Sequence, residues 1–453
     1  MSAEGSSGLG VALARSGEPL PTMDAAARRD PTFAPIIVPG SQFDSPCYRI
    51  PSLTVTATGR VLAAWDVRAD WRDLPGPFDL VLRHSDDHGR SWTPPRPLRL
   101  HEASDGLERG FGDASLLVTA TGRVLCFYAG STGASFFSAG IDGPELECWL
   151  AASDDDGLTW THRLLDLRPD GVGGMFAASG NGVRLSSGRL LQPFVLRRPV
   201  GSPVTEHLLD AGQHFAAIAR SDDDGATWAL GEWIGPDCDE NKIVEVAIAR
   251  SDDDGATWAL GEWIGPDCDE NKIVEVPSDA KGDGDVATLV EARRPDWTTR
   301  PAGRPRRQDV LLHARAQPRR RWARSRDGGV SFSAPVPHPD LVDPGCNGGL
   351  CRWGNLLVAS SLDDPADRRQ LVLRTSADSG RTWSAPVVLD AGGAGYSVVQ
   401  PLADGSLGVL YEAGDYDAIV FRRVTRAAFD RGLVARPGSG AARPPEVASV
   451  RSP

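Results

Sequence analysis

The sequence predicts an all-β protein, a six-bladed β-propeller of four-stranded antiparallel blades. Two repeating patterns and their spacing lead to it. The first is an eight-residue pattern, Ser-x-Asp-x-Gly-x-Ser/Thr-aromatic. It occurs as SDDHGRSW from Ser85, SDDDGLTW from Ser153, SDDDGATW from Ser221 and again from Ser251, SRDGGVSF from Ser325, and SADSGRTW from Ser376. A pattern with fixed chemical positions implies copies of one structural unit. Its residues are those of a hairpin turn. The Asp carboxylate can accept backbone N–H groups across the turn, and the Gly supplies positive φ without steric cost. The closing aromatic then packs between neighbouring units. These segments are expected to be scaffold rather than chemistry.

The second pattern is a Gly turn leading into an apolar strand. It reads TGRVLAAW from Thr58, TGRVLCFY from Thr121, SGRLLQPF from Ser187, RQDVLLHA from Arg307, RWGNLLVAS from Arg352 and DGSLGVLY from Asp404. Six such hairpins, the first five each followed by the eight-residue repeat, count out six units. A radial array of four-stranded sheets accommodates that number. The apolar segment FAPIIVP from Phe33 is expected to supply the strand that closes the last blade onto the first.

The spacing of the repeat serines isolates one anomaly. Successive intervals are 68, 68, 30, 74 and 51 residues, and 30 residues are too few for four strands and their turns. The cause is that residues 217–246 recur unchanged at 247–276. True blades share only their turn residues, so an unchanged copy is a duplication and not a seventh blade. One copy is expected to be extruded near blades three and four. Lengthening a loop is inexpensive, about 0.6 kcal/mol per doubling, but the copy exposes a strand-forming apolar segment prone to association.

Composition fits this architecture and excludes other classes. The 453 residues are 41% hydrophobic and 24% charged, with 50 Gly and 35 Pro for many tight turns. Five of the 13 Trp close the repeats. A net charge of −13 argues against nucleic acid as a partner, and no stretch is long enough to span a bilayer. Seven Cys without a CxxC pair give neither a disulfide framework nor a zinc signature, and Cys346 and Cys351 are expected as free thiols. The acidic run from Asp237 lacks the Gly and Glu of a calcium loop, so neither metal nor cofactor is expected. Residues 1–30 and 436–453 are read as disordered flanks of a propeller spanning 31–435, with Met23 as an alternative start. No charged-then-apolar leader precedes the propeller, so the cytoplasm is the expected location; a start elsewhere would allow secretion.

Tyr48-Arg49-Ile50-Pro51 opens the first blade directly before a strand. With the repeats, it makes the chain similar to the exo-α-sialidase (neuraminidase) family with Asp-box, or BNR, repeats, over roughly residues 33–425. The resemblance implies a site for sialic acid, whose carboxylate sits on the carbon that is attacked. Arginines in bidentate geometry suit that carboxylate. The family's three arginines are carried over as Arg49, Arg320 ahead of the fourth repeat, and Arg374 two residues before the last. The nucleophile is Tyr396, because a carboxylate would repel the substrate's own charge. Its proton passes to Glu275, whose duplicate Glu245 is the alternative. Asp73 is expected as acid/base, with Asp70 competing, and Glu412 as the carboxylate orienting Arg49. Arg68 and Asp113 fall where the family places pocket residues. The resemblance implies a retaining exo-α-sialidase, monomeric, acting on terminal sialic acid of glycans, glycoproteins or gangliosides through a tyrosyl-sialosyl intermediate. Two other readings stand beside it: a non-catalytic sialic-acid-binding propeller, and a related propeller glycosidase or trans-sialidase.

Overall fold

The structure is a computed structural model that describes residues 33–37, 43, 45–104, 107–141, 143, 146–177, 179, 181–184, 190–199, 212–234, 247–250, 259–263, 269–276, 309–325 and 336–431. The all-β expectation holds: among the described residues the only helix is the five-residue Arg426–Asp430, capped by the Thr425 side chain. No described helix is long and apolar enough to cross a membrane.

Strands follow one another as antiparallel meanders. The first sheet runs Cys47–Val55, Val61–Arg68, Asp79–Ser85 and Arg96–Arg99. The second runs Leu107–Val118, Val124–Ser131, Leu146–Ser153 and Thr161–Leu164, with the short Glu102–Ser104 added at its edge. In the third, Gly174–Ala177 and Val183–Arg184 both pair with Leu190–Pro199, which continues to Gly212–Ser221 and Ala229–Ile234. The fourth is Asp269–Val276, Asp309–Arg315, Arg319–Ser325 and Val336–Val342.

The last sheet has seven strands, from Leu350–Trp353 through Leu356–Leu362, Arg369–Ser376, Val387–Pro401, Leu407–Ala413 and Ala418–Val424 to Phe33–Ile37. The long strand Val387–Pro401 belongs to two four-strand groups. Its first half pairs with Arg369–Ser376, and its second half with Leu407–Ala413. The N-terminal strand Phe33–Ile37 pairs with Ala418–Val424, as the apolar run from Phe33 suggested.

Continuously buried second strands explain why the hairpin segments are apolar throughout. Val61–Arg68, Val124–Ser131 and Leu407–Ala413 are buried at every position. A strand covered on both faces needs no polar alternation. The cores lie between sheets rather than within them. One joins Tyr48, Leu53 and Trp65 to Leu410 and Phe421; the next joins Leu62 and Leu80 to Phe111, Leu116 and Tyr128.

The eight-residue repeats form the turn that their residues dictate. In the first, the Asp87 carboxylate accepts the Ser91 N–H at 2.8 Å and the Ser91 hydroxyl at 2.6 Å, while the Ser85 hydroxyl bonds Asp87 at 2.7 Å. Burial works against the charge, but these donors lower Asp87 to about 2. Gly89 has φ of +83°, and any side chain there would overlap the Phe421 ring of the last sheet. The same turn seats Gly157 on Leu62, Gly225 on Leu125 and Gly380 on Leu311. Each of these four repeats therefore clamps its sheet to a neighbour, and the first reaches back to the last sheet. Trp92 completes that contact, with its ring 5.0 Å from Phe421 in an edge-to-face arrangement.

The duplicated segment is divided between two fates. In the first copy, the strands Gly212–Ser221 and Ala229–Ile234 belong to the third sheet; in the second copy, Ala247–Arg250 and Ala259–Trp263 pair only with each other among the described residues. The end of the second copy, Asp269–Val276, then opens the fourth sheet. The alternative base Glu245 lies outside the described residues, as do the repeats from Ser251 and, beyond Ser325 itself, from Ser325. Removing residues 247–276 restores ordinary spacing. That shortened chain is expected to melt in one cooperative transition at or above the melting temperature of the full chain, as a thermal scan by circular dichroism would show.

Candidate active site

Among the described residues the repeats from Ser85, Ser153, Ser221 and Ser376 mark one edge of their sheets, and the candidate site lies at the opposite edge. Strand registers make this explicit. In the first sheet, Val55, Val61 and repeat residue Ser85 share one row, whereas Cys47 and Arg68 share a row at the far end. Groups near the starts of first strands and the ends of second strands therefore converge, and these include Arg49, Arg68, Tyr396 and Glu412.

Glu412 is the hinge of the cluster. It is fully buried on the strand Leu407–Ala413, and its two oxygens accept the N–H of Ile50 at 2.9 Å and of Tyr396 at 2.8 Å. Its carboxylate also lies 3.5 Å from Arg49 Nε. One side chain thus ties the Tyr-Arg-Ile-Pro segment to the strand that carries Tyr396. The Ile50 backbone, at φ of +55°, turns its N–H toward this carboxylate. Burial opposes the Arg49 charge, but Glu412 and Asp73 more than compensate and hold it firmly protonated.

Arg49 and Arg68 share Asp73. The Asp73 Oδ1 lies 2.8 Å from Arg68 Nη1 and 3.4 Å from Arg49 Nη1, which also donates to the Trp71 carbonyl at 3.2 Å. The Asp73 side chain is 65% exposed, beside two buried arginines. Burial acts to raise this carboxyl, but Arg68, then Arg49, and also Arg368 hold it below the ordinary carboxylate value. The competing candidate Asp70 instead binds Arg72 at 2.5 Å on the exposed surface.

Arg68 is fixed from behind by Asp66, at 2.6 Å from Nη2, and its guanidinium lies over the Phe78 ring at 4.5 Å. Asp66 is wholly buried and also accepts the Asp113 N–H at 3.1 Å. Burial pushes Asp66 up to about 7, with Arg68 opposing that rise. Asp113 stands 3.8 Å from Arg68, and burial raises its carboxyl too. Asp66 was not anticipated from sequence, because within VLAAWDVR it looks like a gap in a core strand.

Arg368 and Tyr416 are the other members that the sequence reading missed. The Tyr396 ring lies close to two guanidinium groups, with its centroid 5.5 Å from Arg49 Cζ and 5.5 Å from Arg368 Cζ. Arg368 is buried just before the strand Arg369–Ser376 and donates to the Tyr416 hydroxyl at 3.1 Å and the Gly345 carbonyl at 3.3 Å.

Three expected residues do not join this cluster. Arg374 stands opposite Ala359, two rows from repeat residue Ser376 and thus at the wrong edge; it bonds Asp363 at 2.8 Å and the Ser384 carbonyl at 3.1 Å. Arg320 is 2% exposed, and its Nη2 is occupied by Asp343 at 2.5 Å and the Cys346 carbonyl at 2.8 Å. It braces the segment 343–348 instead of facing the cavity. Glu275 shares a row with Val310 and repeat residue Ser325, again the repeat edge. The site edge of that sheet is the row of Asp269 and Arg315, with Glu270 next in sequence. At about 3.3 Å per residue, Glu275 is roughly 17 Å along the strand from Glu270.

No group of three His, Cys, Asp or Glu among the described residues is arranged for a metal ion. The five described cysteines are free thiols, and burial pushes Cys47 and Cys351 up to about 12.

Comparison with known proteins identifies the chain's relatives. Residues 230–409 match the model of the BNR repeat-like domain. A sialidase from Micromonospora viridifaciens is 31% identical over 395 residues, covering 82% of this chain and 50% of that protein. A Paraclostridium sordellii sialidase is 26% identical over 214 residues, covering 44% of this chain and 50% of the relative. The chain thus spans about half the length of these curated relatives. The fold is similar to that of the microbial sialidase Hz136, with a TM-score of 0.58 at 22% identity over 85% of this chain and 66% of that one. It is also similar to an intramolecular trans-sialidase from Ruminococcus gnavus, with a TM-score of 0.58 at 16% identity over 86% and 97% of the two chains. The chain belongs to the sialidase family with BNR repeats.

Proposed function

We propose that this protein is a retaining exo-α-sialidase that releases terminal sialic acid from glycoconjugates. The observation that carries this reading is the Tyr396 ring 5.5 Å from both Arg49 and Arg368, with Asp73 bonded to Arg49 beside them. The supporting architecture is a six-bladed propeller, in which the seven-stranded sheet counts as two blades sharing Val387–Pro401. The clamping of successive sheets by the repeats, including the first onto Phe421, favours such a ring.

The chemistry follows from charge. Arg49 and Arg368 receive the substrate carboxylate, and a neutral phenol approaches the adjacent anomeric carbon without repulsion. The Tyr396 oxygen attacks that carbon as the glycosidic C–O bond breaks. Asp73 delivers its proton to the departing oxygen. Free phenol ionises near pH ~10, so a base must accept the Tyr396 proton. The site edge of the fourth sheet is where that base belongs, and Glu270, next to Asp269 in the row of Arg315, fits it better than Glu275 at the repeat edge. Water then displaces the tyrosine, losing its proton to Asp73, while the carboxylate base returns a proton to the phenolate. Two inversions leave the anomeric configuration retained.

Asp73 must carry a proton before the first step, yet three arginines favour its ionised form in the empty site. A bound carboxylate offsets the charge of Arg49 and Arg368 and raises the Asp73 pKa. Binding is therefore expected to take up protons above the depressed free-state pKa, with uptake vanishing once pH exceeds the occupied-state value. Calorimetric titration of N-acetylneuraminic acid in two buffers of different ionisation enthalpy measures this uptake. The Asp73→Asn protein should show less.

Release of 4-methylumbelliferone from its α-sialoside tests the activity, in the full chain and in a chain lacking residues 247–276. If both chains are inert while a sialic acid analogue still binds, the protein is a binding propeller and not a hydrolase.

A further inference from the structure

We propose that Tyr416 is a positioning residue that holds Arg49 and Arg368, which come from different strand groups, as a convergent pair for the ligand carboxylate. The inference rests on the sialoside reading above. Two cations aimed at one cavity repel each other, so an empty site needs something between them to hold the pair. Tyr416 supplies both kinds of contact. Its hydroxyl accepts from Arg368 Nη1 at 3.1 Å, and its ring lies 5.0 Å from Arg49 Cζ, within cation–π range.

The backbone fixes the ring in turn. Tyr416 has φ of +63°, uncommon for a bulky residue and found where surrounding structure overrides local preference. Its carbonyl accepts the Tyr48 N–H at 2.7 Å, linking this turn to the residue that precedes Arg49. The side chain is buried, and its ring packs on Gly395, directly before Tyr396. Burial raises the phenol pKa, against Arg368 and Arg49, so Tyr416 stays neutral. It stands as a brace beside the attacking tyrosine.

Binding of N-acetylneuraminic acid and of its methyl ester to the wild type and to Tyr416→Phe tests this. The variant keeps the ring and loses the hydroxyl. The acid is expected to bind about 10-fold more weakly to the variant, with the ester changed less than about 2-fold. In turnover of an aryl sialoside, KM should rise more than kcat falls. Arg368→Lys removes the same hydrogen bond from its other end, so the double variant should lose little beyond the larger single loss. Equal weakening of acid and ester, no change in either, or fully additive losses would overturn the proposal. A wild type that binds acid and ester alike would overturn the sialoside reading, and this one with it; a wild type that prefers the acid, with Tyr416→Phe weakening both ligands equally, overturns the positioning role alone.

Discussion

Tyr396→Phe should lower kcat on an aryl α-sialoside by roughly 10³-fold while leaving the affinity for a sialic acid analogue within about threefold. The ring that lies 5.5 Å from both Arg49 and Arg368 is retained in phenylalanine, and so is the backbone N–H that donates to Glu412. Only the attacking oxygen is removed. Binding and chemistry should therefore separate cleanly. Steady-state kinetics paired with calorimetry read the two quantities, and undiminished turnover would remove Tyr396 from the role of nucleophile.

Glu412→Ala should be the most destabilising single change in the site, by about 3–5 kcal/mol. The Glu412 carboxylate is fully buried and serves Ile50 N–H, Tyr396 N–H and the Arg49 guanidinium together. Alanine leaves two buried donors and a buried cation without that acceptor, and unmet groups of this kind cost more than the interactions they replace. The two strands that it joins carry Arg49 and Tyr396, so ligand binding should be lost with the stability. Glu412→Gln keeps the size and one carbonyl oxygen, yet turns an NH₂ toward a donor. It should fall between the wild type and alanine in urea unfolding. A denaturation midpoint for Glu412→Ala equal to that of the wild type would mean that the contacts are dispensable.

The scaffold was legible in the sequence because its determinants are local. An Asp that collects donors within its own eight residues, and a Gly pressed against a neighbouring ring, leave the same residues at the same offsets every time, as Asp87 and Gly89 do. The site was less legible because it is assembled from sheet edges far apart in sequence. Arg49, Asp73, Tyr396 and Glu412 were found from their motifs, and the structure brings them together. The offset of Arg374 from the last repeat, and the likeness of the segment around Glu275, carry no information on which sheet edge each residue occupies. The repeats lie at the edge opposite the cavity, so a residue two positions before a repeat, such as Arg374, stands at the repeat edge. The eight-residue strand that ends at Ser376 begins at Arg369, which brings Arg368 to the other edge. Arg320 obeys the edge rule, yet its Asp343 partner lies beyond the next strand, and no local pattern pairs them. Asp66 and Tyr416 were hidden for another reason. A buried carboxylate and a buried phenol inside apolar segments look like ordinary core positions until their arginine partners are seen.

A crystal structure of the full chain with bound N-acetylneuraminic acid, or its 2,3-dehydro analogue, measures the arrangement directly. The ligand carboxylate should lie within hydrogen-bond reach of Arg49 and Arg368, with the Tyr396 oxygen facing the anomeric carbon and Asp73 beside the leaving-group side. A carboxylate seated on Arg374 or Arg320, or a ligand bound away from Tyr396, would contradict the site described above.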